Sequence, residues 1–169
     1  VSFSDDGQSN VMDIHVLNTA LKIYVFSREK GAALKAESLL QEIENGAYER
    51  FGTKADRVTY SSVMSAFAHL GTIDAARKVE EIFFRLQSKY ETTLPLNKKE
   101  AFRLKPDSHC FMLVMTAWAK VGSSEGWMVV EKYLDNMVKE CSCSDSEVRA
   151  VLNTVMKNVA ESSDELGME

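Results

Sequence analysis

One pattern decides the fold, and it is clearest in the stretch Phe111-Met-Leu-Val-Met-Thr-Ala-Trp118. The first, fourth, fifth and eighth positions of this stretch are apolar, which is the spacing that places side chains on one face of an α-helix. Segments 17–24, 60–67 and 152–159 are apolar at the same four positions, and the four segments begin 43, 51 and 41 residues apart. The spacing predicts an amphipathic helix that recurs four times.

A second helix recurs in the same register as the first. Segments 36–43, 79–86 and 130–137 are again apolar at those four positions, and glutamate is always the second residue. A glycine stands between the paired helices at Gly31, Gly71 and Gly122, where it supplies the left-handed conformation that ends a helix. Each unit is therefore predicted to be a helical hairpin. A hairpin cannot bury its apolar stripe alone, so the units are expected to stack into an array.

The chain is predicted to be all-α, with one domain of repeated hairpins. Two prolines and eight glycines in 169 residues are too few for a sandwich or a barrel. The expected units span residues 13–56, 57–107 and 108–148, followed by a partial unit at 149–160 and flanked by disordered or irregular segments at 1–12 and 161–169. The surplus length of the second unit is assigned to the tail of its second helix and to the polar connector at 92–100. Since the last unit holds one helix, we expect an exposed apolar stripe there and a chain that is a fragment of a longer array.

An aspartate precedes the first helix of the second and third units. The connectors end in Lys54-Ala-Asp56 and Lys105-Pro-Asp107. Aspartate at this point is a common helix cap, because its carboxylate accepts hydrogen bonds from the first free backbone N–H groups. A capping role and a binding role are both open for these two residues.

Residues 56–68 and 104–120 resemble the first helices of pentatricopeptide repeat proteins. The resemblance rests on Asp-Arg-Val-Thr-Tyr in the former stretch and on Lys-Pro-Asp and Ala-Trp-Ala-Lys in the latter. It extends over residues 13–160, although the units are longer than is typical of the family. It implies a right-handed α-solenoid that binds single-stranded RNA at one base per helical repeat. It also implies a role in organelle RNA processing, stability or translation, in a mitochondrion or a chloroplast.

The same resemblance assigns base-contacting positions. A residue near the start of each first helix works with the last residue of its unit, which pairs Asn18 with Asp56 and Ser61 with Asp107. The first pair implies a preference for uracil and the second a preference for guanine. Carboxamide and hydroxyl groups suit this role because they can hydrogen-bond the edge of a base that is splayed from its neighbours.

The third unit departs from this pattern, because it offers Met112 with Val148 and leaves its base undetermined. The resemblance also implies that a nearby residue of each first helix stacks on a base. Histidine can stack in this way, although a histidine near a helix start is more often simply solvated. Lys120, which ends the Ala-Trp-Ala-Lys motif, is a further candidate RNA contact. The stacking positions are His15, Val58 and His109.

The charge of the chain is negative but unevenly distributed. A net charge of −5 and a pI of about 5.3 exclude a uniformly basic nucleic-acid binder. The first-helix windows 14–26, 57–69, 108–120 and 149–161 together hold five basic residues and one acidic residue, for +4, whereas the rest of the chain holds 15 and 24, for −9. This imbalance favours single-stranded RNA as the partner. A helical-repeat scaffold that binds protein is the alternative, and the overall acidity and Met112 favour it.

The sequence offers no constellation for catalysis. It lacks a glycine-rich phosphate loop, a nucleophile elbow and a histidine pair at metal-ligand spacing, so we expect no enzyme activity, no cofactor and no small-molecule substrate. The glutamates at 42, 44, 80 and 81 are interpreted as solvated. Cys141-Ser-Cys143 could be half a metal site, but no second ligand pair accompanies it, and the three cysteines are expected to be reduced thiols. No run of about 18 apolar residues predicts a membrane span, and targeting signals are expected to lie outside this chain.

Overall fold

The described part of the protein is built from α-helices. The computed structural model describes residues 13–27 and 31–166, with side chains as far as Ala160, and no β-strand occurs in these ranges. The predicted all-helical class is confirmed, whereas the predictions for residues 1–12 and 167–169 fall outside the described residues. The helices are α1 (Ile14–Ser27), α2 (Ala32–Glu44), a 3-10 helix (Glu49–Phe51), α3 (Arg57–Ala68), α4 (Ile73–Thr93), α5 (Lys98–Leu104), α6 (Ser108–Val121), α7 (Ser124–Cys141) and α8 (Asp145–Leu166).

The helices follow the predicted repeat. The four first-helix segments lie in α1, α3, α6 and α8, and the three second-helix segments lie in α2, α4 and α7. Within each full unit the two helices pack on each other, as α1 on α2, α3 on α4 and α6 on α7. The first helices also contact one another in sequence order, because α3 touches both α1 and α6, and α6 touches α8. The arrangement is therefore all-helical and repeat-like.

Polar caps fix where the first helices of the second and third units begin. The Asp56 carboxylate accepts a hydrogen bond from the backbone N–H of Thr59 at 3.0 Å, and Asp107 accepts one from Cys110 at 3.2 Å. The predicted capping role of both aspartates is thus confirmed. At the other end of α6, Gly122 has a φ of +69° and its N–H donates to the carbonyl of Ala119. This left-handed residue ends the helix as the sequence predicted.

The apolar stripes form the core. In α3 and α6 all eight stripe residues are buried, and α1 contributes Leu17 and Leu21 to the same core. The second helices join it through an aromatic cluster, in which the ring of Phe83 lies 4.9 Å from Phe111 and 5.4 Å from Tyr133 in edge-to-face geometry. In α8 only Val155 of the stripe is fully buried and Met156 is 57% exposed. The last stripe is thus partly exposed, as the sequence predicted.

Two helices of the third unit approach each other closely at Gly126. A Cβ atom placed on Gly126 would stand 2.6 Å from the carbonyl oxygen of Trp118, well inside van der Waals contact. The residues that align with Gly126 in the earlier units are Ala32 and Ala75, which are also buried. A small residue at this position therefore lets the second helix approach the first closely.

The connectors differ from the prediction in two places. The polar connector at 92–100 includes the end of α4 at Thr93 and the start of a further helix, α5, which Asn97 caps by accepting from the N–H of Glu100 at 3.1 Å. The last helix, α8, begins at Asp145 rather than at residue 149 and continues to Leu166, so the tail expected to be disordered from residue 161 is helical at its start.

The interpretation of the second-helix glutamates as solvated was wrong for two of them. Glu44 is half-buried, accepts a hydrogen bond from Tyr60 at 2.5 Å and is in contact with the Arg85 guanidinium of α4. Burial alone would raise the pKa of Glu44, but the bonds from Tyr60 and Arg85 and the nearby positive charges lower it. Glu80 accepts a hydrogen bond from Tyr133 at 2.9 Å. These carboxylates therefore join neighbouring units instead of facing water.

Candidate nucleic-acid interface

The first and best-formed element of the candidate interface joins Asn18 of α1 to Asp56. Nδ2 of Asn18 donates to Oδ1 of Asp56 at 3.3 Å, across 38 residues of chain. These are the two residues that the family resemblance pairs in the first unit. Asp56 thus has two tasks, because the same carboxylate oxygen caps α3 through Thr59.

Asn18 is more enclosed than a free base-contacting side chain would be. It is 6% exposed, and its Oδ1 is buried without a hydrogen-bond partner among the described residues. The amide therefore keeps one unused acceptor, since Nδ2 is committed to Asp56. Because an unpaired buried carbonyl costs free energy, this oxygen would gain from any donor that reached it. A base could reach it only if the side chains over Asn18 moved.

The second pair is not joined in the same way. The Ser61 hydroxyl donates to the carbonyl of Val58 in its own helix at 3.2 Å, and the structure records no hydrogen bond between Ser61 and Asp107. Asp107 instead forms an ion pair with Arg57, whose Nε lies 3.0 Å from Oδ2. Arg57 also donates to the carbonyl of Lys105 at 3.0 Å. Ser61 is half-buried and directed to its own backbone, while Asp107 is held by an arginine at the start of α3.

The third pair consists of two apolar residues that lie against the hydrophobic core. Met112 and Val148 are both half-buried and pack against the hydrophobic core. Neither side chain can read a base edge by strong hydrogen bonds, because a thioether is a weak acceptor and valine has no polar group. The departure of the third unit from the family pattern is thus a packing feature of α6 and α8.

The stacking positions lie at the surface. His15 and His109 are exposed, and Val58 is 42% exposed. All three stand near the starts of α1, α3 and α6, so they occupy equivalent places on successive first helices. Exposure leaves these side chains accessible to a ligand.

Lys120 lies near the end of α6, close to α3. Its Nζ is 3.4 Å from Nδ1 of His69, the residue that follows α3. The lysine therefore sits at the junction of the second and third units, where it contributes positive charge near the carboxyl ends of both first helices.

Several basic residues beside Asp56 were not among the predicted contacts. Nη2 of Arg103, on α5, lies 3.6 Å from Oδ2 of Asp56, and Nζ of Lys54 lies 2.9 Å from Oε1 of Glu100. The bond to Glu100 raises the pKa of Lys54, which keeps the ammonium charged. A cavity of about 300 Å³ lies between α5 and the segment 52–56. The only sequence signal for these contacts was the run of lysines before Glu100.

The described residues provide no evident metal centre or membrane span. Within 13–27 and 31–166, no three histidine, cysteine, aspartate or glutamate side chains cluster as metal ligands would. Cys110 is buried behind the Asp107 cap, and burial raises the pKa of its thiol to about 12. Among the helices in the same ranges, none is both long and apolar enough to cross a bilayer.

Comparison of the chain with protein-family models, with curated proteins and with solved structures finds no match.

Proposed function

We propose that this chain is a segment of a right-handed α-solenoid of pentatricopeptide-like repeats, and that it binds single-stranded RNA with base selectivity. The observation that carries the proposal is the hydrogen bond between Asn18 and Asp56. These are the two residues that the resemblance to pentatricopeptide repeats pairs in the first unit, and they lie 38 positions apart. The same hydrogen bond and the Asp56 cap also stabilise the packing of α1 on α3.

The chemistry of Asn18 supports uracil as the base for the first unit. Uracil presents an N3–H donor on its Watson–Crick edge, and Oδ1 of Asn18 is an acceptor without a protein partner. Asp56 holds Nδ2 and thereby fixes which end of the amide is left over. The exposed stacking positions His15 and Val58, at the starts of successive first helices, would flank such a base.

The charge distribution supports an anionic ligand on the first helices. Their windows carry +4, while the remainder of the chain carries −9. Single-stranded RNA is the polyanion that a row of helices with amide, hydroxyl and aromatic side chains fits best. The proposed setting is organelle RNA processing, stability or translation, and the proposed activity is binding without catalysis.

A protein-binding scaffold is the second candidate, and two observations favour it. Asn18 is only 6% exposed, and apolar side chains stand free on the first hairpin, with Ile23 63% and Phe26 79% exposed. Such side chains are common anchors of protein interfaces.

A change of specificity separates the two candidates. In the resembled family, serine with aspartate goes with guanine, so Asn18→Ser should move the preference of the chain from RNA containing UG toward RNA containing GG. The measurement is fluorescence anisotropy with short labelled RNAs containing UG, GG or a scrambled order. Gln41→Ala, which removes an exposed amide from α2, is the matched control and should leave both affinities unchanged.

A loss of folding would weaken binding to all three RNAs, so it could not mimic a gain of GG binding. If the wild-type chain bound all three RNAs weakly, equally and independently of salt concentration, selective RNA binding would be rejected. The protein-binding scaffold would then be the remaining candidate.

A further inference from the structure

The connector before the third unit contains a basic helix that the repeat pattern does not require. Residues 97–105, which include α5, hold four basic residues and one acidic residue. The corresponding connector of the first unit holds only the 3-10 helix Glu49–Phe51. The difference accounts for the longer second unit, which spans 51 residues against 44 in the first. The insertion thus adds positive charge at one place in the chain.

Two ion pairs hold α5 against the segment that carries Asp56. Arg103 reaches Asp56 at 3.6 Å, and Glu100 reaches Lys54 at 2.9 Å. The helix also packs on α4, and its residues Ala101 and Leu104 are buried. The position of α5 is therefore fixed, and Arg103 stands in contact with the partner of Asn18.

The cations of this region lie on its outer side. The side chains of Lys54 and Arg103 are 61% and 59% exposed, whereas those of their partners Glu100 and Asp56 are 37% and 17% exposed. Lys99 is exposed and lines the same cavity, and it has no ion pair within the described ranges. Exposed ion pairs of this kind are worth little, so an arriving anion can share or displace them at small cost.

We propose that α5 is a phosphate-binding element, in which Arg103, Lys99 and Lys54 contact the phosphodiester backbone of single-stranded RNA beside the base bound at Asn18 and Asp56. The inference rests on the proposed function and extends it to residues outside the repeat code. Phosphate contacts fix the register of a nucleic acid without reading its sequence. A cluster fixed next to one base-reading pair would hold the strand beside that pair without changing which base the pair prefers.

The separation of affinity from selectivity tests this proposal. The variant Lys99→Gln/Arg103→Gln removes two charges from α5, and Lys132→Gln/Lys139→Gln removes two from the exposed face of α7 as the matched control. Affinities for the UG-containing and scrambled RNAs would be measured over a range of salt concentrations. For single strands, each lost phosphate contact lowers the slope of log affinity against log salt by about 0.7. We expect the α5 variant to lose about 1.4 of that slope with its preference for UG unchanged, and the α7 variant to match wild type.

Other results would overturn the proposal. If the α5 variant kept the wild-type slope of log affinity against log salt concentration, α5 would not contact phosphate. The same would follow if the α5 and α7 variants changed this slope equally. A loss of UG preference at an unchanged slope would assign Arg103 to positioning Asp56 instead.

The single variant Lys99→Gln, which breaks no recorded ion pair, guards against a folding effect and should lose about half of the slope change, or about 0.7. Failure of the wild-type chain to bind any RNA would overturn both proposals. Binding without UG preference, but with the slope change, would reject base reading while supporting α5.

Discussion

Asp56 and Asp107 offer a matched pair of substitutions, because each caps a first helix but only Asp56 also holds a buried amide. Asp56→Ala removes the cap of α3, which costs about 1 kcal/mol. It also leaves Nδ2 of Asn18 unpaired in a side chain that is 6% exposed, which costs about 1–3 kcal/mol more. The free energy of unfolding should therefore fall by about 2–4 kcal/mol.

The Asp107→Ala variant should lose less. It removes the cap of α6, worth about 1 kcal/mol, and an ion pair with Arg57 worth about 0–1 kcal/mol. The Asp107 side chain is 41% exposed against 17% for Asp56, so water replaces its lost contacts more readily. Asp56 also has an ion pair, with Arg103, so the caps and the ion pairs contribute similarly to both losses. The two variants should therefore differ by the cost of the unpaired Asn18 amide, about 1–3 kcal/mol, with Asp56→Ala the less stable.

Urea denaturation followed by far-ultraviolet circular dichroism measures both losses. Adding Asn18→Ala to Asp56→Ala completes a double-mutant cycle, in which the two substitutions should cost about 1 kcal/mol less together than the sum of their single effects. Equal losses for the two aspartate variants, together with additive effects of Asn18→Ala and Asp56→Ala, would refute the claim that Asp56 orients Asn18. Asp56 would then be a helix cap alone.

Two further predictions concern packing and pH. Gly126→Ala should destabilise the protein by about 1–3 kcal/mol in urea denaturation, because the clash of the new Cβ with the carbonyl of Trp118 outweighs the higher helix propensity of alanine. The control Ser124→Ala changes an exposed residue and should stay within about 0.5 kcal/mol of wild type. A Gly126→Ala protein as stable as wild type would contradict the close contact. Glu44→Gln should cost about 1–3 kcal/mol at neutral pH. Since the folded-state pKa of Glu44 is lowered from 4.5, its contribution is present above that value and is lost as the pH falls through the folded pKa, so the deficit should shrink in acid. A deficit that stays constant down to acid pH would contradict this, and the exposed Glu140→Gln should parallel wild type throughout.

The repeat was predictable because its signal is redundant. The apolar positions of α3 and α6 recur in register, and glycine or a capping aspartate marks the same points of successive units. The resemblance paired Asn18 with Asp56, and the two side chains are hydrogen-bonded although one belongs to α1 and the other caps α3. The contact follows from register because Asp56 caps α3, which packs on α1.

Other features were not predictable, since their signals are not periodic. The seven residues of α5 are too few to show a helical stripe, and Pro95 and Asn97 before them favoured a loop. The burial of Glu44 depends on Tyr60 and Arg85, which come from two other helices. A carboxylate between apolar residues looks the same in sequence whether it faces water or a neighbouring unit.

Including α5 sharpens the division of basic and acidic residues between two parts of the chain. When residues 97–105 are counted with the first-helix windows, that group carries nine basic and two acidic residues, for +7, and the remainder falls to −12. Some acidic residues of the remainder make contacts within the protein, since Glu44 and Glu80 accept hydrogen bonds from other helices. An acidic pI is therefore compatible with an anionic ligand, because the repulsive charges lie on one set of helices and the attractive charges on another. The slope of log affinity against log salt concentration tests this division, because it depends on the number of cationic side chains that contact phosphate and not on the net charge of the chain.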